Sequence, residues 1–193
     1  MSKQPIKIIA EVSARHLHLS KDDFEKLFGK DKKLTPMKPL FQDGQFAAWE
    51  WVTLRTAKAE IPHVRVLGPT REKTQIEISL TDAYTLGIEP LVRESGNLEG
   101  TPGLTLISEK GEVKTRGGVI LTLRHIHASD KDAEKYGLKN GQIVSVKTLG
   151  QRALVFNNVV VRIKQDYVWR FHVDTDEANA ADIKNGDECE VIV

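Results

Sequence analysis

The sequence predicts a mainly β fold with a few short helices, and three observations carry that expectation. Short apolar or alternating runs follow one another along the chain, separated by Gly, Pro and Asn turn signals rather than by long helical periods. The pattern Arg-His-x-His-x-Ser-x-x-Asp occurs at 15–23 and again at 124–132, and each copy reads as a strand followed by a capped short helix. A second recurrence, Leu138-Lys139-Asn140-Gly141-Gln142 and Ile183-Lys184-Asn185-Gly186-Asp187, sets a turn between a short helix and a further strand. This spacing favours β-barrels or a sandwich over a parallel α/β sheet.

Taken in order, 6–12 is a β-branched strand that delivers Arg15 to the first His-x-His. Ser20 caps a helix over 21–28 whose packed face is Phe24, Leu27 and Phe28, and Gly29 stops it. The stretch at about 29–49, with its lysines and with Pro36 and Pro39, reads as a surface excursion. Strands at 49–54 and 61–67 pair as a hairpin, the second ending at the Gly68-Pro69 turn. Residues 74–79 alternate, with Gln75, Glu77 and Ser79 on one face and Ile76 and Ile78 on the other. A helix capped by Thr81 and stopped by Gly87 follows, then strands at 104–107 and 119–124, then the second His-x-His with its helix from Ser129 to Gly137. The remaining strands fall at 143–147, 153–156, 159–164, 168–173 and 189–193, with Asn157-Asn158 as a tight hairpin turn.

Bulk properties narrow the partners. At 193 residues the chain buries enough surface to fold without a structural metal or disulfide, so a metal here is expected to be functional. A net charge of +1 offers no electrostatic footprint for nucleic acid or an anionic membrane, and a small-molecule partner is expected. No apolar run approaches the roughly 18 residues of a membrane span. The single cysteine, Cys189, excludes an internal disulfide and fits a reducing cytoplasm.

The chemistry rests on the histidines. In a strand, side chains at i and i+2 leave on one face, so His16 with His18 and His125 with His127 each present two imidazoles to one point while Leu17 and Ile126 turn to a core. With His172 on its own strand, five histidines sit in ligand positions, and Glu77 is chosen as the sixth donor. Three protein ligands with an open fourth position is the catalytic zinc arrangement, and six donors supply two of them. His63 is read as a surface or packing residue, and Arg15 and Arg124 as structural ion-pair residues facing away from the histidines. Arg71 stands where a guanidinium could fork onto an anion, although a lone arginine is equally at home in solvent. Ser95-Gly96 and 100–103 form a loop whose backbone could approach a ligand, a composition shared by ordinary turns.

Residues 12–20, 66–71 running to 74–79, 124–127 and 172–180 together resemble the phosphate propanoyltransferase family, the PduL-type phosphotransacylases, over nearly the whole chain. The resemblance implies two β-barrels capped by short helices, with the active site between them. It divides the chain into 1–14 plus 123–193 for one barrel and 15–122 for the other. It implies a dinuclear centre, zinc or another divalent metal at two ions per chain, with His16, His18 and Glu77 on one and His125, His127 and His172 on the other. It further implies Arg71 as the phosphate-binding residue, and coenzyme A, phosphate and a short-chain acyl phosphate as substrates; Ser95, in the loop that could approach a ligand, is the candidate contact to coenzyme A, and a homo-oligomer, a dimer, is expected. The reaction it implies is acyl-CoA + phosphate = acyl phosphate + CoA, for a propanoyl or acetyl group. With Cys189 far from every metal motif, direct transfer without a covalent acyl-enzyme is expected.

Two other readings of the residues stay open: a dinuclear-metal hydrolase and a metal-binding β-barrel module. Only Met1-Ser2-Lys3-Gln4-Pro5 precedes the first strand, so an encapsulation helix is not expected, and a cytoplasmic enzyme outside any microcompartment is.

Overall fold

The computed structural model describes residues 5–42 and 44–193, so residues 1–4, on which the expectation about location rests, lie outside it. Along the chain come β1 (Ile6–Ser13), β2 (His16–Ser20), α1 (Lys21–Phe28), β3 (Pro36–Pro39), β4 (Phe46–Arg55), β5 (Glu60–Arg71), β6 (Gln75–Glu77) and α2 (Leu80–Leu86). Next are β7 (Leu91–Arg93), β8 (Thr105–Ile107), β9 (Glu112–Lys114), β10 (Val119–Thr122), β11 (His125–Ala128) and α3 (Asp130–Tyr136). The series ends with β12 (Ile143–Lys147), β13 (Val155–Ile163), β14 (Arg170–Asp174), α4 (Thr175–Ala181) and β15 (Glu188–Ile192). Among the described residues the fold is therefore mainly β with four short helices. It falls into two compact units, one joining the first strand, through Ser13, to Leu123–Val193, the other comprising Ala14–Thr122.

In the first of these, six strands close into a barrel in the order β1-β14-β11-β13-β12-β15, with β15 returning to β1. Its core is made by inward positions of successive strands: Ile8 and Ala10, Ile126, Val146, Val159 and Val161, Phe171 and Val173, Cys189 and Val191. Asn157-Asn158 does not turn a hairpin. β13 runs through both, and the register against β12 shifts between Val144 and Val146, with Asn158 at φ 58°. The pair forms a β-bulge, a conformation that asparagine tolerates as readily as it does a turn, which is why the dipeptide alone misled.

Residues 14–122 do not close. Among the described residues nine strands make an open sheet, β7-β10-β6-β2-β5-β4-β8-β9, with β3 paired to β4. Both ends of that order, β7 and β9, are three-residue strands, each paired on one side only among the described residues, β7 with β10 and β9 with β8. The surface excursion ends earlier than expected, because β4 begins at Phe46 and buries Ala47 and Ala48, while β3 within it is exposed throughout. β5 continues past Gly68-Pro69 to Arg71 instead of turning there. Gly68 lies opposite Phe46 in the register, and a Cβ on it would fall 2.3 Å from the Phe46 ring, so the glycine marks a close approach inside a strand.

The helix ends follow the capping residues. Ser20 and Ser129 cap α1 and α3 by accepting from the N–H of Asp23 and Asp132. In α3 the Asp132 carboxylate accepts the Ser129 N–H in return, a closed capping box. In α1 that return passes through Thr74: Ser20 N–H donates to Thr74 Oγ1 at 2.9 Å, and the Thr74 hydroxyl donates to Asp23 Oδ2 at 2.6 Å. The relay ties the helix to the chain immediately before β6. α2 is capped by Ser79, not Thr81, because only Ser79 is placed three residues before Asp82 to close a box.

Candidate functional site

Each His-x-His strand is an interior strand, and its neighbours decide what the histidines meet. β2 runs parallel to β5 and antiparallel to β6, where His16 is the register partner of Glu77. Partners across a ladder share a face, so Glu77 emerges beside His16, with His18 two residues on, while Leu17, Leu19 and Ile76 fill the core side. One donor atom from each of His16, His18 and Glu77 lies within 4.8 Å of the other two. His16 Nδ1 lies 2.8 Å from the Ala14 carbonyl oxygen, which can only accept, so the proton sits on Nδ1 and Nε2 faces Glu77 Oε1 at 3.5 Å.

The barrel repeats this arrangement. β11 runs parallel to β13 and antiparallel to β14, where His125 is the partner of His172. His125, His127 and His172 are all buried, and their donor atoms meet the same 4.8 Å limit. His125 Nδ1 again lies 2.8 Å from the carbonyl two residues earlier, Leu123. The His125 and His172 rings stack at 4.8 Å, and Tyr167 covers His127 with ring centroids 3.9 Å apart. On the far side of β14, Glu11 of β1 is the partner of His172, and burial pushes its carboxyl upward against the pull of Arg170.

Around the first triad, Gln75 is a hub. It is 2% exposed, and its amide nitrogen donates to Glu77 Oε1 at 2.6 Å and to Ser95 Oγ at 2.8 Å while its oxygen accepts Gly96 N–H at 2.7 Å. Arg71 donates to the same Ser95 hydroxyl at 3.3 Å. Arg71 also lines a cavity of about 240 Å³ with His18, Gly44, Gln45, Gly68 and Pro69. The Thr122 hydroxyl donates to the other Glu77 oxygen. Burial depresses His16, but the charge and hydrogen bond of Glu77 outweigh it and leave the imidazole raised. Burial likewise works against the Glu77 carboxylate, yet His16 and the Thr122 hydroxyl hold it well below the usual range. His18 is pushed down to about 3 by burial and then by Arg71, so it is neutral and its lone pair is available.

With this geometry in view, comparisons with known proteins decide the family. A phosphate propanoyltransferase family profile matches residues 9–184. The chain is 52% identical over 188 residues to a phosphate propanoyltransferase of Thermotoga maritima, covering 97% of this chain and 89% of that protein. It is 45% identical over 180 residues to one of Sebaldella termitidis, covering 93% and 85%. A third, of Clostridioides difficile, is 44% identical over 190 residues, covering 98% and 91%. The chain belongs to the phosphate propanoyltransferase family.

That makes it an acyltransferase by membership, and the site can be tested against the metal the resemblance implied. Two imidazoles with a carboxylate, and three imidazoles, are both donor sets that suit zinc and its neighbours. His18 Nδ1 is buried and makes no hydrogen bond, the condition of a nitrogen reserved for another partner. Both triads fit a divalent ion on these grounds. The other residues singled out in the sequence sort clearly. Arg15 pairs with Asp82 at 2.6 Å and Arg124 with Glu177 at 2.7 Å, both holding structure. His63 is exposed and packs on Trp51 at 4.4 Å. Cys189 is fully buried in β15 with its thiol pushed up to about 11, chiefly by burial, which leaves it protonated and unreactive. Gln75, at the centre of the hydrogen bonds around the first triad, was not among the site candidates of the sequence. Its signal was present in the alternation that set it on the Glu77 face.

Proposed function

We propose that this chain moves a short acyl group, propanoyl or acetyl, reversibly between coenzyme A and phosphate, using two divalent metal ions held by His16, His18 and Glu77 and by His125, His127 and His172. The observation that carries the reading is the repeated placement of a third donor opposite the first histidine of each His-x-His, on an antiparallel neighbour. Bound divalent ions, zinc in the first instance, supply Lewis-acid stabilisation of the charge that develops when the acyl carbonyl is attacked.

The residues of the chain do the rest. Arg71 is the phosphate-binding group: its guanidinium, backed by the Ser95 hydroxyl, forks onto two oxygens of the anion and orients a third toward the acyl carbon. The Gln75 amide fixes Ser95 and Glu77 together, so the anion site and the first triad keep a constant separation. Ser95 serves this positioning in addition to the coenzyme A contact proposed for it. With Cys189 buried and protonated, transfer proceeds directly between the two bound substrates. The same reading has the enzyme work as a cytoplasmic homodimer.

One coupled assay tests the proposal: acyl-CoA formation from acetyl, propanoyl and butanoyl phosphate, with metal analysis of the same preparation. Formation of acyl-CoA that depends on added coenzyme A, with about two metal ions per chain, is expected. Full activity in metal-free protein would refute the metal reading, and hydrolysis without dependence on coenzyme A would refute the transferase reading in favour of a hydrolase.

A further inference from the structure

Three register partners form a row across the barrel: Glu11 on β1, His172 on β14 and His125 on β11. The first triad has a row of the same topology, Ile120 on β10, Glu77 on β6 and His16 on β2. Both rows contain one carboxylate, but at different steps. In the first triad it stands among the donors with an aliphatic side chain beyond it; in the second, three imidazoles form the donor set and the carboxylate stands one strand further out. Glu11 Oε2 is buried, accepts no hydrogen bond, and lies 3.8 Å from His172 Nε2. That distance is too long for a hydrogen bond and short enough for a small side-chain rotation to make one. A buried carboxylate oxygen without a donor is costly, so its placement at this ring calls for a reason.

We infer that Glu11 is a positioning residue of the second triad, the carboxylate that orients the His172 imidazole and supplies the negative charge that three neutral donors lack. This rests on the metal reading of that triad. A carboxylate hydrogen-bonded to a ligating histidine fixes its tautomer and ring orientation and raises its basicity, and losing it typically lowers metal affinity about 10-fold to 100-fold. Glu77, already among the donors, makes such an outer carboxylate unnecessary at the first triad. The competing role for Glu11 is as a counter-ion to Arg170, which attracts it.

The test measures zinc retained per chain during dialysis against graded chelator, for the wild type, Glu11→Gln, Glu11→Ala, Glu11→Asp and His125→Ala. Expected is that Glu11→Gln and Glu11→Ala lose one of two ions at a chelator strength about 10-fold to 100-fold lower than the wild type, with the other ion unmoved and with partial recovery in Glu11→Asp. The melting temperature of metal-free Glu11→Gln should not fall. If His125→Ala loses one ion while Glu11→Gln and Glu11→Ala hold both with wild-type affinity, the inference about Glu11 is overturned and the metal reading stands. If His125→Ala loses none, the metal reading of that triad fails by itself, and this inference with it. A Glu11→Gln variant that melts lower when metal-free and binds zinc normally would assign the carboxylate to Arg170 instead.

Discussion

Replacing Gln75 by leucine separates a structural amide from one that serves the site. The leucine keeps the volume of a side chain that is 2% exposed, so packing changes little and the loss is confined to three hydrogen bonds. They are unequal. Gly96 is exposed, and its N–H can turn to water; Ser95 Oγ retains Arg71 as a donor. Glu77 Oε1 loses a charge-assisted bond inside the protein, and such bonds contribute about 1.5–3 kcal/mol. The Glu77 bond therefore dominates, and metal-free Gln75→Leu should be about 2–3 kcal/mol less stable in urea titration, far outside the ~0.5 kcal/mol of an ordinary surface change. Because Glu77 would also lose its orientation, chelator competition should show one metal ion held about 10-fold to 100-fold more weakly. The KM for phosphate should rise as Ser95 loosens beneath Arg71. A variant destabilised by that amount, yet with wild-type metal affinity and phosphate dependence, would show that Gln75 only holds the 94–97 loop and would refute the coupling argued here.

For Arg71→Ala, turnover should fall roughly tenfold to a hundredfold with metal content unchanged, and Arg71→Lys should recover little because a single ammonium cannot fork. Wild-type phosphate dependence in either variant would make Arg71 a solvated side chain. In metal-free protein followed by NMR, His16 should titrate above its ordinary 6.5, since the Glu77 partner outweighs burial; in Glu77→Gln, where burial remains, the midpoint should drop below 6.5. The sign follows from linkage: a raised imidazole adds stability that is complete below its unfolded pKa and is lost as pH rises through the folded one. A midpoint that does not move in Glu77→Gln would contradict the pairing. His63→Ala should alter neither metal content nor rate, because the ring meets Trp51 and no donor cluster; damage equal to that of His16→Ala would overturn the ligand choice.

What the sequence could show depended on whether a feature was local. The two-residue period of His16-x-His18 and His125-x-His127 fixes a shared face without knowledge of any neighbour, and Ser20 and Ser129 announce their helices within four residues. Features that depend on register were harder to read. That Glu77 sits opposite His16 rather than one step away is a property of the β2–β6 ladder, and a one-residue slip would have turned its carboxylate into the core. Turn chemistry failed twice for one reason: Gly68 and Asn158 permit close approach or positive φ, and those are used here inside long strands, by the Phe46 ring and by the β12–β13 bulge. Whether a sheet closes is decided at its ends. β7 and β9, which stand there, are each three residues long, and neither was among the strands expected from the sequence.

The membership of β1 in a barrel otherwise built from the C-terminal part of the chain has a consequence for how that barrel comes into being on the ribosome. Ile8 pairs with Cys189, so roughly 180 residues must be added before the seam can shut. At about 5–20 residues per second, that is a wait of roughly 10–40 s, during which Ala14–Thr122, continuous in sequence, is free to fold. For most of it, until β14 is made, the N-terminal segment carries Ile6, Ile8 and Ala10 with neither flanking strand present, a β-branched stretch with both edges open to any passing partner. The last strand to emerge is thus the one that protects the first.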